Sequence, residues 1–480
     1  MKNTQKNTDY NFSLKRVWAI MIAVGLLIFM STLDSSVVNV AMPVMSKDLN
    51  VPMNQITWTV SIYLIVVSGL LTFFGNLGDQ IGKMRVFKYG AYVFVLGSFL
   101  AGINLNFWFL LFARVVQAIG AAMEMSNSFG ISTTVAPVSM RARAMASIAM
   151  FVSLGGLAGP SVGGIILQFF PWSYIFWINV PIGIIVIIII QKVFPKSAKR
   201  EDKVQFDWYG IILLFLLIAL FFMGINIAQE QGFTALFPIF SYLLSIILLF
   251  AFIKHELKIT KPLLDLSIFK TQLFTISIIA SFLTFSATFF IAILTPFYFQ
   301  NLLGMSPGKA GLFMMAWPIA QLIGAPFSGI IADKINREYI TLAALSAMLI
   351  GLFMWTLIGK QTPVILVFAL NAFLGFSMSF FNTPNNALIM SNAPKNKLGV
   401  AGSLNALARN LGMITGTTAA TTSLYIGMSI KAGHKIINYP KNNPYFFVSG
   451  LHFAMMISTI IILIAWLITA YRVLILKIKK

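Results

Sequence analysis

Two acidic residues sit where the surrounding sequence is built for lipid. Asp34 lies in the apolar run "VWAIMIAVGLLIFMSTLDSSVVNVAMP" at 17–43, and Glu124 lies in a second run at 107–130. A charge at the centre of a membrane helix costs roughly 2.5–3.5 kcal/mol on insertion scales, so such a group must be paired, protonated or turned toward water. Carboxyls in that setting serve proton relays in pumps and transporters, and Asp34 is expected to be the first proton site, with Glu124 second. Of the 13 Asp and Glu residues in the chain, these two are the ones expected well inside the hydrocarbon. Arg114, Gln117, Ala121, Glu124 and Ser128 recur at helical spacing and form one stripe, a face expected to line a cavity. Arg114 and Glu124 stand about 15 Å apart along a helix axis and cannot pair with each other. Arg114 is therefore the candidate cation for Asp34, and Asn39, Gln117 and Ser128 are candidate pocket residues.

The elements that must hold these groups are transmembrane helices. The 480 residues are 58% hydrophobic and 10% charged, with a mean hydropathy of +0.87, which excludes an ordinary soluble domain. Fourteen runs are long enough to span: 17–43, 55–76, 87–103, 107–130, 143–168, 173–193, 208–228, 235–254, 273–299, 309–331, 339–358, 363–390, 399–424 and 447–471. They are continuous, not ten-residue segments of alternating polarity, so a transmembrane barrel is disfavoured. The first is too long for a signal-peptide core and reads as a retained helix.

A net charge of +21 in a soluble protein would point to nucleic acid, but here the placement of the basic residues explains it. Most of the 34 Lys and Arg fall in alternate connections, among them Lys83, Arg85, Lys192, Lys254 and Lys334. The positive-inside rule then puts both termini in the cytoplasm and leaves no role for nucleic acid. There are no cysteines. The three histidines form no metal or catalytic motif, and no phosphate-binding lysine signature occurs, so neither an enzyme nor an ATP-driven pump is expected. No cofactor or metal is expected either.

A repeat divides the chain. "GNLGDQIGKMR" at 75–85 is echoed by "GIIADKINR" at 329–337, so that Gly75 and Asp79 correspond to Gly329 and Asp333. The expected organisation is a cytoplasmic segment 1–16, a six-helix bundle 17–193, two central helices 208–254 and a second six-helix bundle 273–475. Duplicated halves around a midplane site are typical of secondary transporters. Asp79, Lys83 and Arg85, in a connection near a helix end, are candidates for a latch. In "GGLAGPSVGG" at 155–164, Gly155, Gly159 and Gly163 form one ridge and Gly156, Pro160 and Gly164 the next, a spacing that permits close helix approach, with Pro160 favouring a bend. Phe285, Phe289, Phe373, Phe376, Phe380, Asn382 and Asn386 complete the candidate pocket. Arg409, with "LGMITG" following it, is either a latch residue similar to those of 75–85 or a snorkelling side chain. The outer connection 425–446 carries no assigned function.

Together these stretches resemble the major facilitator superfamily, and within it the fourteen-helix drug:proton antiporter branch. "LDSSVVNVAMP" resembles the first-helix motif of that branch, with Ser36 where Thr is usual. "GNLGDQIGKMR" is similar to loop motif A, with Gln80 in place of a basic residue. "RVVQAIGAA" is similar to motif B, with Ala118 in place of a glycine. "GGLAGPSVGG" matches motif C, the antiporter signature. "WSYIFWINVPIG", "FDWYG" and "QNLLGMSPGKAGL" are further similarities. The resemblance implies a monomer in a bacterial cytoplasmic membrane that contacts lipids, is driven by the proton gradient and exports lipophilic, often cationic, drugs. The lesser alternative is dedicated export of one endogenous metabolite, lipid or peptide by the same machinery.

Overall fold

The structure, a computed structural model, describes residues 13–137, 140–195, 207–232, 235–259, 262–264, 266–394, 398–434, 436 and 444–478. Among these residues there are helices and turns and no strand. In hydrocarbon every backbone N–H and C=O must be bonded within its own segment, and a continuous apolar run meets that demand only as a helix. The helices are α1 (Leu14–Asp48), α2 (Met53–Ile56), α3 (Trp58–Ile81), α4 (Lys83–Gly102), α5 (Phe107–Val135), α6 (Arg141–Phe169), α7 (Tyr174–Trp177) and α8 (Asn179–Val193). They continue with α9 (Trp208–Gln231), α10 (Leu236–Glu256), α11 (Gln272–Phe297), α12 (Pro307–Met314), α13 (Ala316–Lys334), α14 (Arg337–Trp355), α15 (Val364–Asn392), α16 (Leu398–Ala432) and α17 (Pro444–Ile478). Among the described residues, 11 helical stretches are long and apolar enough to cross a membrane. The long helices α4, α6 and α16 pack among them.

Several boundaries differ from the sequence expectation. The stretch 75–85 is not a loop: Gly75 and Asp79 lie inside α3, Lys83 and Arg85 open α4, and Gly82 alone separates them. Gly82 has φ 108°, a conformation that side chains resist, which is why one glycine suffices for the reversal. Asp333 likewise lies in α13, but its side chain is outside the described residues. The tenth expected span divides at Met315, and α11 runs on into a π-helical turn, Tyr298–Leu302. The expected outer connection 425–446 is helical as far as Ala432, while 435 and 437–443 are outside the described residues.

Helix α1 lies in the packed interior and α10 at the periphery: 67% of the apolar window of α1 is buried, against 22% of that of α10. Phe240, Leu243, Ile247 and Phe250 of α10 are exposed, as lipid contact requires. Helix α1 packs on α6, and α11 packs on α16, in the same manner. A Cβ on Gly155 would strike Thr32 and the Phe29 carbonyl, one on Gly159 would strike Ser36, and one on Gly163 would meet Val37 at 2.7 Å. On the other side, a Cβ on Gly412 would meet the Phe282 carbonyl at 2.6 Å, and one on Gly416 would meet Phe289 Cβ at 2.7 Å. Glycine ridges thus bring both helix pairs into backbone contact.

The second ridge of α6 behaves differently. Gly156 has open space beside it, and a Cβ on Gly164 would meet the Pro307 carbonyl at 3.0 Å and Gly311 Cα at 3.2 Å on α12. Near the same end, Gln300 Nε2 donates to the Val40 carbonyl at 3.0 Å. Here the helices before Val193 and those after Gln272 are pressed together.

Candidate functional site

Helix α5 places Arg114 and Gln117 one turn apart, and both reach Asp34 on α1. Arg114 Nη1 is ion-paired with Asp34 Oδ2 and donates to Gln117 Oε1 at 2.6 Å, while its Nε donates to the Thr59 carbonyl at 2.9 Å. Gln117 Nε2 donates to Asp34 Oδ1 at 2.8 Å and to Ser98 Oγ at 2.9 Å. Asn179 Nδ2 adds a third donor to Asp34 at 3.2 Å. The guanidinium lies 4.3 Å over the Tyr63 ring, a cation–π contact that adds to the pair. All of these polar residues are fully buried. Asp34 is therefore saturated with donors, and protonating it would leave Arg114 as an uncompensated buried cation, an arrangement that costs several kcal/mol.

Glu124 is built differently. It lies three turns further along α5, fully buried, where Ser31 Oγ donates to its Oε2 at 2.7 Å and its Oε1 has no partner. A proton placed there breaks no ion pair. Ser31 and Tyr63, whose hydroxyl donates to the Ser31 carbonyl at 3.3 Å, separate both acids from an open cavity.

That cavity, about 280 Å³, lies between α1, α3, α5 and α6 on one side and α11, α12, α13, α15 and α16 on the other. Of the candidate pocket residues, Asn39, Phe285, Phe289 and Asn382 line it. Asn386 stands behind Asn382, donating to its Oδ1 at 3.2 Å. Gln117 is committed to Asp34, and Ser128 is buried and donates to the Met125 carbonyl at 3.1 Å, so neither lines the cavity. Phe373 and Phe376 are 42% and 40% exposed on the outer surface, and Phe380 packs against Phe376 with ring centroids 4.9 Å apart. These three occupy the face of α15 roughly opposite the one that carries Asn371, Met378 and Asn382 into the cavity. Apolar residues on a lipid face and a pocket face look the same in sequence.

At the end of α3, Lys83 is ion-paired with Asp79, exposed on the surface, and Arg85 is half-buried. A Cβ on Gly75 would find its nearest neighbour at 3.8 Å, so Gly75 is not a close-approach position. Gly78 is: a Cβ there would strike the Asn127 amide, which donates to the Phe74 carbonyl at 3.1 Å.

One buried pair escaped the sequence reading, and one open alternative is decided. Glu338 and Arg472 form a buried ion pair, with Arg472 also donating to Ser277 Oγ at 2.7 Å and Thr341 Oγ1 at 2.9 Å. Buried carboxylates are therefore not confined to Asp34 and Glu124. Glu338 lies at the start of α14, and Arg472 lies inside α17 but just past the expected span 447–471, where a sequence reads as loop. The alternative is that of Arg409, which lines the cavity and does not snorkel to an interface. Among the described residues no acidic side chain lines the cavity.

The profile of the Major Facilitator Superfamily matches residues 24–417. The chain is 32% identical over 451 residues to the riboflavin transporter RibZ of Clostridioides difficile (strain 630), covering 93% of this chain and 98% of that protein. It is 27% identical over 423 residues to the methyl viologen resistance protein SmvA of Salmonella typhimurium, covering 88% and 85%. Among solved structures, a bacterial homologue of the human lysosomal transporter Spinster, inward-facing and occupied, superposes with a TM-score of 0.67 at 13% identity. That match covers 96% of this chain and 97% of the other.

Proposed function

The chain belongs to the Major Facilitator Superfamily, and from that premise we propose that it is a proton-coupled exporter of lipophilic small molecules. In this reading it crosses a bacterial cytoplasmic membrane fourteen times, with both termini inside, and works as a monomer without a cofactor. Residues 17–193 and 273–475 form two bundles that rock about the cavity, with 208–254 inserted between them.

The observation that carries the reading is Glu124: a buried carboxyl with one bare oxygen, joined to the cavity wall through Ser31. Substrate enters from the cytoplasm or the inner leaflet while the contacts of Val40 with Gln300 and of Gly164 with α12 close the outer end. Rocking parts those contacts, an external proton reaches Glu124 by way of Ser31, and substrate leaves outward. The protonated protein returns and releases its proton inside. The Asp34–Arg114 pair holds α1 against α5 through the cycle and keeps Tyr63 in the wall. One proton exchanged for a neutral substrate moves one charge, about 2.3 kcal/mol per 100 mV. Relatives named for drug resistance and efflux support export of foreign compounds.

The test is substrate-evoked proton release from everted vesicles holding an imposed pH gradient. Glu124→Gln is expected to abolish release while purified protein still binds substrate; full release from that variant removes the carrier role of Glu124. A second reading, a transporter dedicated to one metabolite, is favoured by the relative named as a riboflavin transporter. Resistance profiles against chemically unrelated compounds separate the two, because a dedicated transporter protects against one class at most.

A further inference from the structure

The cavity carries an uncompensated cation. Among the described residues, Arg409 is the one charged residue that lines it, and its guanidinium makes no hydrogen bond or ion pair with any of them. Its neighbour Asn410, 2% exposed, also lines the cavity, and its Nδ2 donor has no partner. The contrast with the rest of the protein is sharp. Arg114 is held by Asp34, Gln117 and Thr59, and Arg472 by Glu338, Ser277 and Thr341.

Helix packing does not require a cation at position 409. Arg409 stands three residues before Gly412 in the ridge that binds α16 to α11. The same place in α6, three residues before Gly155, is Val152, which also lines the cavity and is apolar. Arg409 is half-buried in the cavity wall; a cation partly drawn from water without a partner carries a cost, and a ligand that brings the missing acceptor recovers it. The aromatic faces of Phe285, Phe289 and Trp317 line the same cavity and suit a flat ring system.

We infer that Arg409 and Asn410 form an acceptor-recognising subsite, and that the cavity selects flat aromatic organic anions, such as carboxylates, sulfonates or acidic phenols, over lipophilic cations. The inference rests on the proposal that this cavity is the substrate site, and it names the substrate class. Outward movement of one anion against one inward proton carries two charges in the same electrical sense, so membrane voltage drives such an exchange more strongly than exchange for a neutral compound.

The test is equilibrium binding to the purified full-length protein, read by fluorescence anisotropy. Fluorescein and rhodamine 123 share a xanthene body and differ in the sign of their charge. Wild type is expected to bind fluorescein about tenfold or more tightly than rhodamine 123, the scale of a charge-assisted hydrogen bond. Arg409→Gln is expected to erase that preference by weakening fluorescein alone, and Arg409→Lys to keep most of it. Equal or tighter binding of rhodamine 123 by wild type overturns the inference without need of any variant, as does equal loss of both dyes in a well-folded Arg409→Gln protein. The readout needs no proton gradient. An anion preference without proton coupling sinks the proposed exporter and leaves this inference standing; coupling with a cation preference does the reverse.

Discussion

Arg114 and Arg472 solve the same problem in two places. Each is a guanidinium buried among helices, each is paired with a carboxylate, and each gathers further polar partners. They differ in what lies next to them. Arg114 stacks on Tyr63, which forms part of the cavity wall, whereas none of Arg472, Glu338, Ser277, Thr341 and Asn385 lines the cavity. The lesson is that burial of a charge in a membrane protein does not by itself mark the transport site; adjacency to the substrate space does. The Arg472 pair fastens α11, α14 and α17 together, while the Arg114 pair fastens α1 and α5 just behind the surface that a substrate touches.

The comparison is open to direct attack. The largest effect is expected from Glu338→Leu, which strands Arg472 and should cost about 3–5 kcal/mol, read as thermal unfolding in detergent. Adding Arg472→Met should restore most of that loss, because an apolar pair of similar volume replaces a buried ion pair at little cost, and transport should return with it. Asp34→Leu with Arg114→Met should also regain stability but not transport. If the 338/472 double variant folds and fails to transport, the distinction between the two pairs collapses.

Next in size are the α6 ridges. Gly159→Leu, forced against Ser36, should cost about 1–3 kcal/mol, whereas Gly156→Ala faces open cavity and should leave stability unchanged within about 0.5 kcal/mol while altering substrate affinity. Denaturation midpoints and binding curves on the same preparations check both. Ser31→Ala removes the hydroxyl between cavity and Glu124; a stability loss near 1 kcal/mol and a marked slowing of proton-driven transport are expected, and an unaltered transport rate would show that protons reach Glu124 by another route. The smallest effect belongs to Phe373→Leu, on the outer surface, which should change neither stability beyond about 0.5 kcal/mol nor substrate selectivity.

The helical, multi-span character of the chain was legible because long apolar runs permit few alternatives in lipid. The neighbourhood of Asp34 and Arg114 was also arguable in advance, since two charges in mid-membrane each need a partner. Glu338 and Arg472 were hidden because a charge just outside an apolar run reads as solvated until tertiary packing covers it. The reversal at Gly82 was hidden because a loop of several residues and a single glycine in the left-handed region leave the same sequence trace. Phe373, Phe376 and Phe380 share one helical face that reads as a pocket wall, and the rotation of α15 decides otherwise. The isolation of Arg409 could not be read at all, because the absence of a partner is a property of the assembled walls and not of any segment.

Gly82 has a practical consequence for anyone handling the protein. With a single residue between α3 and α4, there is no slack to accept an epitope tag, a fluorescent insert or a protease site, and a Cβ there meets a strained backbone as well. Any shift of the lower end of α3 is handed to α4 almost undiminished, so a reporter dye attached at Lys88 should register the displacement of both helices as one rigid lever.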